Sequence, residues 1–131
     1  MSYNTSDTND HWKQYYIAWS SSLNDLNNVN NWIGLWLNVT NLGDGFLNVT
    51  GLLPTSTQII LRAGWNLVSY PTLSANKTVA TAFWGTGVNR VEAFDQSATY
   101  RTKAVGPTYI MRPGEGYWVH APADTIWSIN W

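Results

Sequence analysis

Cysteine is absent from this 131-residue chain. That excludes disulfides, thiolate metal sites and cysteine nucleophiles. It does not exclude secretion, because a chain of this length buries a core without a covalent staple. Charge is nearly as scarce. Asp, Glu, Lys and Arg supply 11% of the residues, against roughly 25% in an average domain. The seven Lys and Arg are scattered and the net charge is -1, so phosphates would find no partners and nucleic acid is excluded as a ligand. There are two histidines, too few to ligate a metal without a converging carboxylate set. No apolar run approaches the ~20 residues of a membrane span, so membrane insertion is not expected. The polar opening Met1-Ser-Tyr-Asn-Thr-Ser-Asp-Thr-Asn-Asp10 lacks the apolar centre of a signal peptide. If the protein is exported, its signal has been removed.

What the chain has instead is apolar residues at 44%, nine Trp, and a large stock of uncharged polar groups: 14 Asn, 14 Thr and 10 Ser. This is the composition of a β-rich surface exposed outside a cell. Residues 1–10 read as a disordered leader or linker, and 11–131 as one β domain.

Arg62 to Pro71 is the organising stretch. Ile59-Ile60-Leu61 runs into Ala63-Gly64, where a tight turn calls for glycine. Trp65 to Tyr70 has strand composition, and Pro71 ends it. The expectation is a central hairpin. Before it, Tyr15 to Trp19 reads as a strand and Leu23 to Val29 as a short helix capped by serines. Ile33–Thr40 and Phe46–Thr50 read as a hairpin across Gly43-Asp44-Gly45. After it, Val79, Ala82 and Phe83 have helical spacing, giving a helix over Thr78–Trp84 stopped by Gly85. Val88–Phe94 and Thr99–Ala104 are strands around a turn at Asp95–Ala98. Pro113-Gly114 suits a type II turn. Gly116–Ala121 and Thr125–Trp131 read as a last hairpin.

An internal repeat is visible, with residues 33–50 resembling 115–130. Gly34-Leu35-Trp36-Leu37-Asn38-Val39 aligns with Gly116-Tyr117-Trp118-Val119-His120-Ala121. The alternation predicts that Leu37, Val39, Leu47, Val49, Val119, Trp127 and Ile129 are buried together. The units are unequal: either the first is degenerate or the chain is cut from a longer array.

Three blocks, Ala63-Gly-Trp-Asn-Leu-Val-Ser-Tyr-Pro71, Val91-Glu-Ala-Phe-Asp95 and Met111-Arg-Pro-Gly-Glu-Gly-Tyr-Trp-Val119, resemble a repeat module of large exported archaeal cell-surface proteins. Similar blocks occur in some bacterial surface proteins. The resemblance covers residues 33–131. It implies an extracellular or cell-surface β module in a secreted, surface or sheath-like protein, with no assigned catalytic residue.

Trp36 and Trp118 occupy equivalent positions on the polar faces of their strands. They are candidate ligand-binding residues, as stacking platforms for a sugar ring or a partner's apolar surface, though core packing is the commoner fate of such residues. His120, next to Trp118, is a third candidate. Glu92, Asp95 and Glu115 could hydrolyse a glycosidic bond only if two of them stood about 5–9 Å apart across a cleft, which nothing in the sequence signals. Asp44 is too isolated for a calcium loop. Asn4, Asn38, Asn48 and Asn76 head Asn-X-Ser/Thr sequons and are glycosylation candidates. Gly64, Pro113 and Gly114 are structural turn positions.

These residues predict a mainly β fold, an antiparallel sandwich or partly open barrel with one or two short helices. The expected function is non-enzymatic, with no metal and no cofactor: a structural or adhesion module of a surface, sheath or filament-forming protein, self-assembling through strand edges with copies of itself or adjacent modules. The rival is a carbohydrate-binding module that takes polysaccharide on exposed Trp or Tyr.

Overall fold

The structure, a computed structural model, describes residues 1–40, 50–73 and 76–131. It is mainly β, with strands β1 (Ser2–Tyr3), β2 (Trp12–Lys13), β3 (Ser56–Leu61), β4 (Gly64–Ser69) and β5 (Lys77–Thr78) before the one-turn helix α1 (Val79–Ala82). β6 (Arg90–Phe94), β7 (Thr102–Val105), β8 (Ile110–Met111), β9 (Gly116–Ala121) and β10 (Thr125–Asn130) follow. The main sheet has the order β4-β9-β6-β7, and a two-stranded ribbon pairs β3 with β10. Short pairs β5-β8 and β1-β2 complete the set. Every pairing is antiparallel.

Period-two patterning places the core between the main sheet and the ribbon. On β3, Thr57, Ile59 and Leu61 point inward while Ser56, Gln58 and Ile60 point out. On β9, Tyr117, Val119 and Ala121 point inward, and on β10 Trp127 and Ile129 do. With Val68, Tyr70, Phe83, Val91, Ala93 and Met111 they form one cluster, a sandwich-like arrangement. Trp127 is its centre. It stacks on Tyr70 at 6.1 Å, lies 4.3 Å from Phe83, and donates its Nε1–H to the Ala82 carbonyl at 2.6 Å. The Tyr70 hydroxyl is buried with no hydrogen-bond partner among the described residues, and burial raises its pKa. Thr78 caps α1 by accepting the Thr81 N–H at 3.3 Å. The helix is shorter than Thr78–Trp84 because Phe83 leaves helical geometry and Gly85 takes φ +77°.

The two expected hairpins have the right strands and the wrong partners. β3 does not pair with β4, nor β9 with β10. Instead β4 pairs with β9, Gly64 opposite Ala121, and β3 pairs with β10, Leu61 opposite Thr125. One long antiparallel ladder bends between these rungs and passes from sheet to ribbon. The bend explains Gly64, which takes φ +100°. Two polar side chains brace it. Asp124 accepts the Ala63 N–H and the Arg62 Nη1, both at 2.8 Å. Buried Asn66 accepts the Arg62 N–H at 3.0 Å and donates to the carbonyls of Arg62 at 2.8 Å, Gly64 at 3.1 Å and Val119 at 3.4 Å. The turn at Pro113-Gly114 forms, with Gly114 at φ +80° and a Glu115 N–H to Arg112 carbonyl bond of 3.2 Å.

The N-terminal third departs further from expectation. Residues 1–10 make contacts with the rest of the chain. Ser2 and Tyr3 pair with Lys13 and Trp12, and Ser2 is buried. The Met1 amino group and carbonyl exchange hydrogen bonds with Trp36, each at 2.8 Å. Tyr15–Trp19 is no strand but a turn, and Leu23–Val29 is reduced to a single 3-10 turn at Ser21–Leu23. Ile33–Thr40 contributes one bridge, Ile33 to Val68, beside which Gly34 N–H bonds the Leu67 carbonyl and Ser69 N–H bonds the Trp32 carbonyl. Gly34 is pressed so close to β4 that a Cβ would stand 2.7 Å from Leu67 Cγ. Beyond Trp36 the segment has no neighbouring strand among the described residues, and Leu37 and Val39 are 63% and 60% exposed. Alternation without a partner strand does not bury a side chain. The calls on Gly43-Asp44-Gly45, Phe46, Leu47, Asn48 and Val49 lie outside the described residues.

Candidate functional site

The outer face of the main sheet carries the aromatic residues that the strands turn away from the core. Register sets its rows. Trp65, His120 and Arg90 lie side by side across β4, β9 and β6, and Leu67, Trp118 and Glu92 form the next row. The N-terminal strands lie over this face. Trp118 meets Tyr3 at 5.0 Å, Trp12 at 5.7 Å and Trp65 at 6.4 Å, all edge-on at interplanar angles of 63–87°. Tyr3 also stacks on His11 at 5.1 Å. Thr5 donates its hydroxyl to the Trp65 carbonyl at 2.7 Å, which ties the strap to β4.

His120 is half-buried. Its Nδ1 lies 2.8 Å from Asn89 Oδ1, and its ring meets Trp65 edge-on at 5.2 Å. The Arg90 guanidinium sits 5.6 Å above the Trp65 ring and is paired with Glu92 at 2.8 Å. Trp36 is not part of this cluster. It meets Phe94 edge-on at 5.6 Å. Trp36 and Trp118 are thus both half-buried and both committed to ring contacts within the chain.

The carboxylates are engaged locally. Glu92 accepts from Thr102 Oγ1 at 2.9 Å as well as holding Arg90. Asp95 accepts the Ser97 hydroxyl and N–H, which hold its pKa down. Glu115 accepts the Tyr117 hydroxyl at 2.8 Å, and burial, with that carboxylate beside it, pushes the Tyr117 pKa up. Lys13 gathers Asp7 at 2.8 Å, Asp10 at 3.5 Å and Asp25 at 3.7 Å. Its ammonium, with the N–H groups of Asp10 and Asn9, holds Asp7 at about 2. Among the described residues no His, Asp and Glu group of three or more could hold a metal ion. No helix there is long and apolar enough to cross a membrane. Of the sequons, Asn4, Asn38 and Asn76 are exposed.

Comparisons with protein-family models, curated proteins and solved structures return no match to this chain.

Sequence reasoning missed Tyr3, Trp12 and Trp65 as members of the aromatic face, and Asn66 as the brace of the bend. Trp65 had a signal, since it starts the outward row of a strand whose Asn66 and Val68 point inward. Tyr3 and Trp12 sit in segments without periodicity and had none.

Proposed function

We propose that the chain is a non-enzymatic extracellular module, structural or adhesive, of an exported cell-surface, sheath or filament-forming protein. The observation that carries this reading is its exterior. Large apolar side chains stand in solvent on a surface almost without charge: Leu52 at 100%, Ile17 at 94%, Trp84 and Tyr100 at 87%, with the cross-strand pair Ile60 and Ile126 at 60% and 56%. Contiguous exposure, as at Ile60 beside Ile126, marks contact with other macromolecules. The uncharged polar residues and the exposed sequons at Asn4, Asn38 and Asn76 suit an extracellular glycoprotein. The carbohydrate-binding reading gains no support from Trp36 and Trp118, whose rings are packed edge-on against neighbours.

Two measurements test the proposal. Antibodies against the chain should label intact source cells as strongly as permeabilised ones. Titration with soluble polysaccharides should leave tryptophan fluorescence unchanged. Label confined to permeabilised cells would overturn the extracellular assignment. A saturable fluorescence shift, abolished by Trp118→Ala, would transfer the protein to the carbohydrate-binding class.

A further inference from the structure

We infer that the free edge of β3 receives residues 15–17 of a second copy as an added antiparallel strand, so that copies join head to tail. The inference rests on the assembly reading above and names its junction.

The acceptor follows from ladder phase. Trp131 N–H bonds the Thr55 carbonyl at 3.1 Å, which makes that rung a hydrogen-bonded pair. In an antiparallel ladder bonded and non-bonded rungs alternate. Thr57, Ile59 and Leu61 therefore turn their backbone groups to β10, and Gln58 and Ile60 turn theirs to the other side. No strand among the described residues pairs with that side. A groove of about 490 Å³ runs beside it, between Gln58 and Ile60 of β3, Leu67 and Val68 of β4, and this chain's own residues 2–6 and 25–28. The edge lacks the usual protections. Within β3 there is no charge, no proline and no bulge.

The donor is the segment with strand composition that forms no strand. Tyr15-Tyr16-Ile17 leads into a turn, with Tyr15 61%, Tyr16 52% and Ile17 94% exposed. Asn24 holds it outward. Its Oδ1 accepts the Tyr16 N–H at 2.8 Å and its Nδ2 donates to the Tyr16 carbonyl at 3.2 Å. Both backbone groups of Tyr16 are thus used on one side. The backbone groups of Tyr15 and Ile17 have no partner among the described residues. On pairing, the turn at Ile17–Ala18 opens so that Tyr15 and Ile17, at i and i+2, face Gln58 and Ile60 of the acceptor. Ile17 is 94% exposed and Asn24 ties Tyr16 to its own loop, which leaves the outer side of the segment available to a second copy. Donor and acceptor are different surfaces, and such a contact propagates instead of closing on itself.

Sedimentation velocity on the full chain tests this with two surface variants. Ile17→Lys puts a charge on the donor. Gln58→Pro removes an outward N–H from the acceptor, a position an edge strand tolerates. The wild type should grow past dimer as concentration rises, and each variant alone should stay monomeric. An equal mixture keeps one good donor and one good acceptor and should stop at a heterodimer. A monomeric wild type overturns the inference. So does association that both variants retain, an outcome that still leaves surface labelling free to uphold the proposed location and class.

Discussion

Asn66 is the residue whose loss tests the bent ladder most directly. It is 5% exposed and holds four backbone groups: Arg62 N–H and the carbonyls of Arg62, Gly64 and Val119. The Thr5 hydroxyl adds a fifth contact at 3.3 Å. Asn66→Ala leaves these groups to water where it can reach them and unsatisfied where it cannot. At about 1 kcal/mol net per hydrogen bond, and up to about 3 for a buried group left orphaned, the loss comes to roughly 3 kcal/mol. The Val119 carbonyl is the most deeply placed and the Arg62 groups are partly wet, which keeps the figure from the upper end. Against a total stability of about 5–15 kcal/mol, that is a large fraction. Urea unfolding followed by tryptophan fluorescence should show the midpoint fall with the slope unchanged. Asn38→Ala, at an exposed asparagine, should move it by under about 0.5 kcal/mol. If Asn66→Ala behaved like Asn38→Ala, the side chain would not brace the bend, and the account of why β3 and β4 exchange partners would fail.

Other outcomes follow from the same contacts. Trp127→Ala should cost about 3–5 kcal/mol by urea unfolding, since it empties the centre of the core and frees the Ala82 carbonyl. Tyr70→Phe should leave stability unchanged or raise it, because it removes a buried hydroxyl that lacks a partner. A drop above about 1 kcal/mol would show that the hydroxyl is satisfied. Gly64→Ala should cost about 1–2 kcal/mol through backbone strain alone, as nothing lies within 4 Å of its added Cβ. Gly34→Ala should instead displace the Trp32–Gly34 segment from β4 and speed amide exchange at Ser69. Asp124 has a folded pKa held down by the Ala63 N–H and then by Arg62. Its contribution is present above the unfolded value near 3.8 and is lost as pH falls through the lower folded value. Stability of Asp124→Asn should therefore fall less than that of the wild type from about pH 4 downward.

The sequence was legible where alternation met a partner. β9, β10, β6 and the start of α1 are visible in Val119, Trp127, Val91 and Val79, because each period-two or helical pattern faces a real core. Pairing was not legible. Ala63-Gly64 and Pro122-Ala123-Asp124 look like hairpin turns, yet they lie side by side at one bend, and only Asn66 and Asp124 reveal this. Local chemistry does not tell a chain that reverses from one that changes sheet. Leu37 and Val39 show the converse, a good pattern that is exposed and has no strand beside it among the described residues. Within the aromatic face, Trp118 and His120 were found from the repeat, while Tyr3 and Trp12 arrive through tertiary packing that no short-range signal encodes.

The exchanged ladder also dictates the order in which the molecule can be made. Among the described residues β3 and β4 find their strand partners in β10 and β9, apart from the single bridge of Val68 to Ile33, so Leu61 must wait for Thr125 and Gly64 for Ala121. A ribosome has to release the C-terminal strands before either sheet can close. Folding is then governed by loop closure over everything between, and high contact order makes it slow. During that wait Ile59, Leu61 and Val68 lack the β9 and β10 half of their core, Tyr117, Val119, Ala121, Trp127 and Ile129. A truncation just before β9 would leave no smaller stable core, only a chain with the apolar halves of two unfinished sheets.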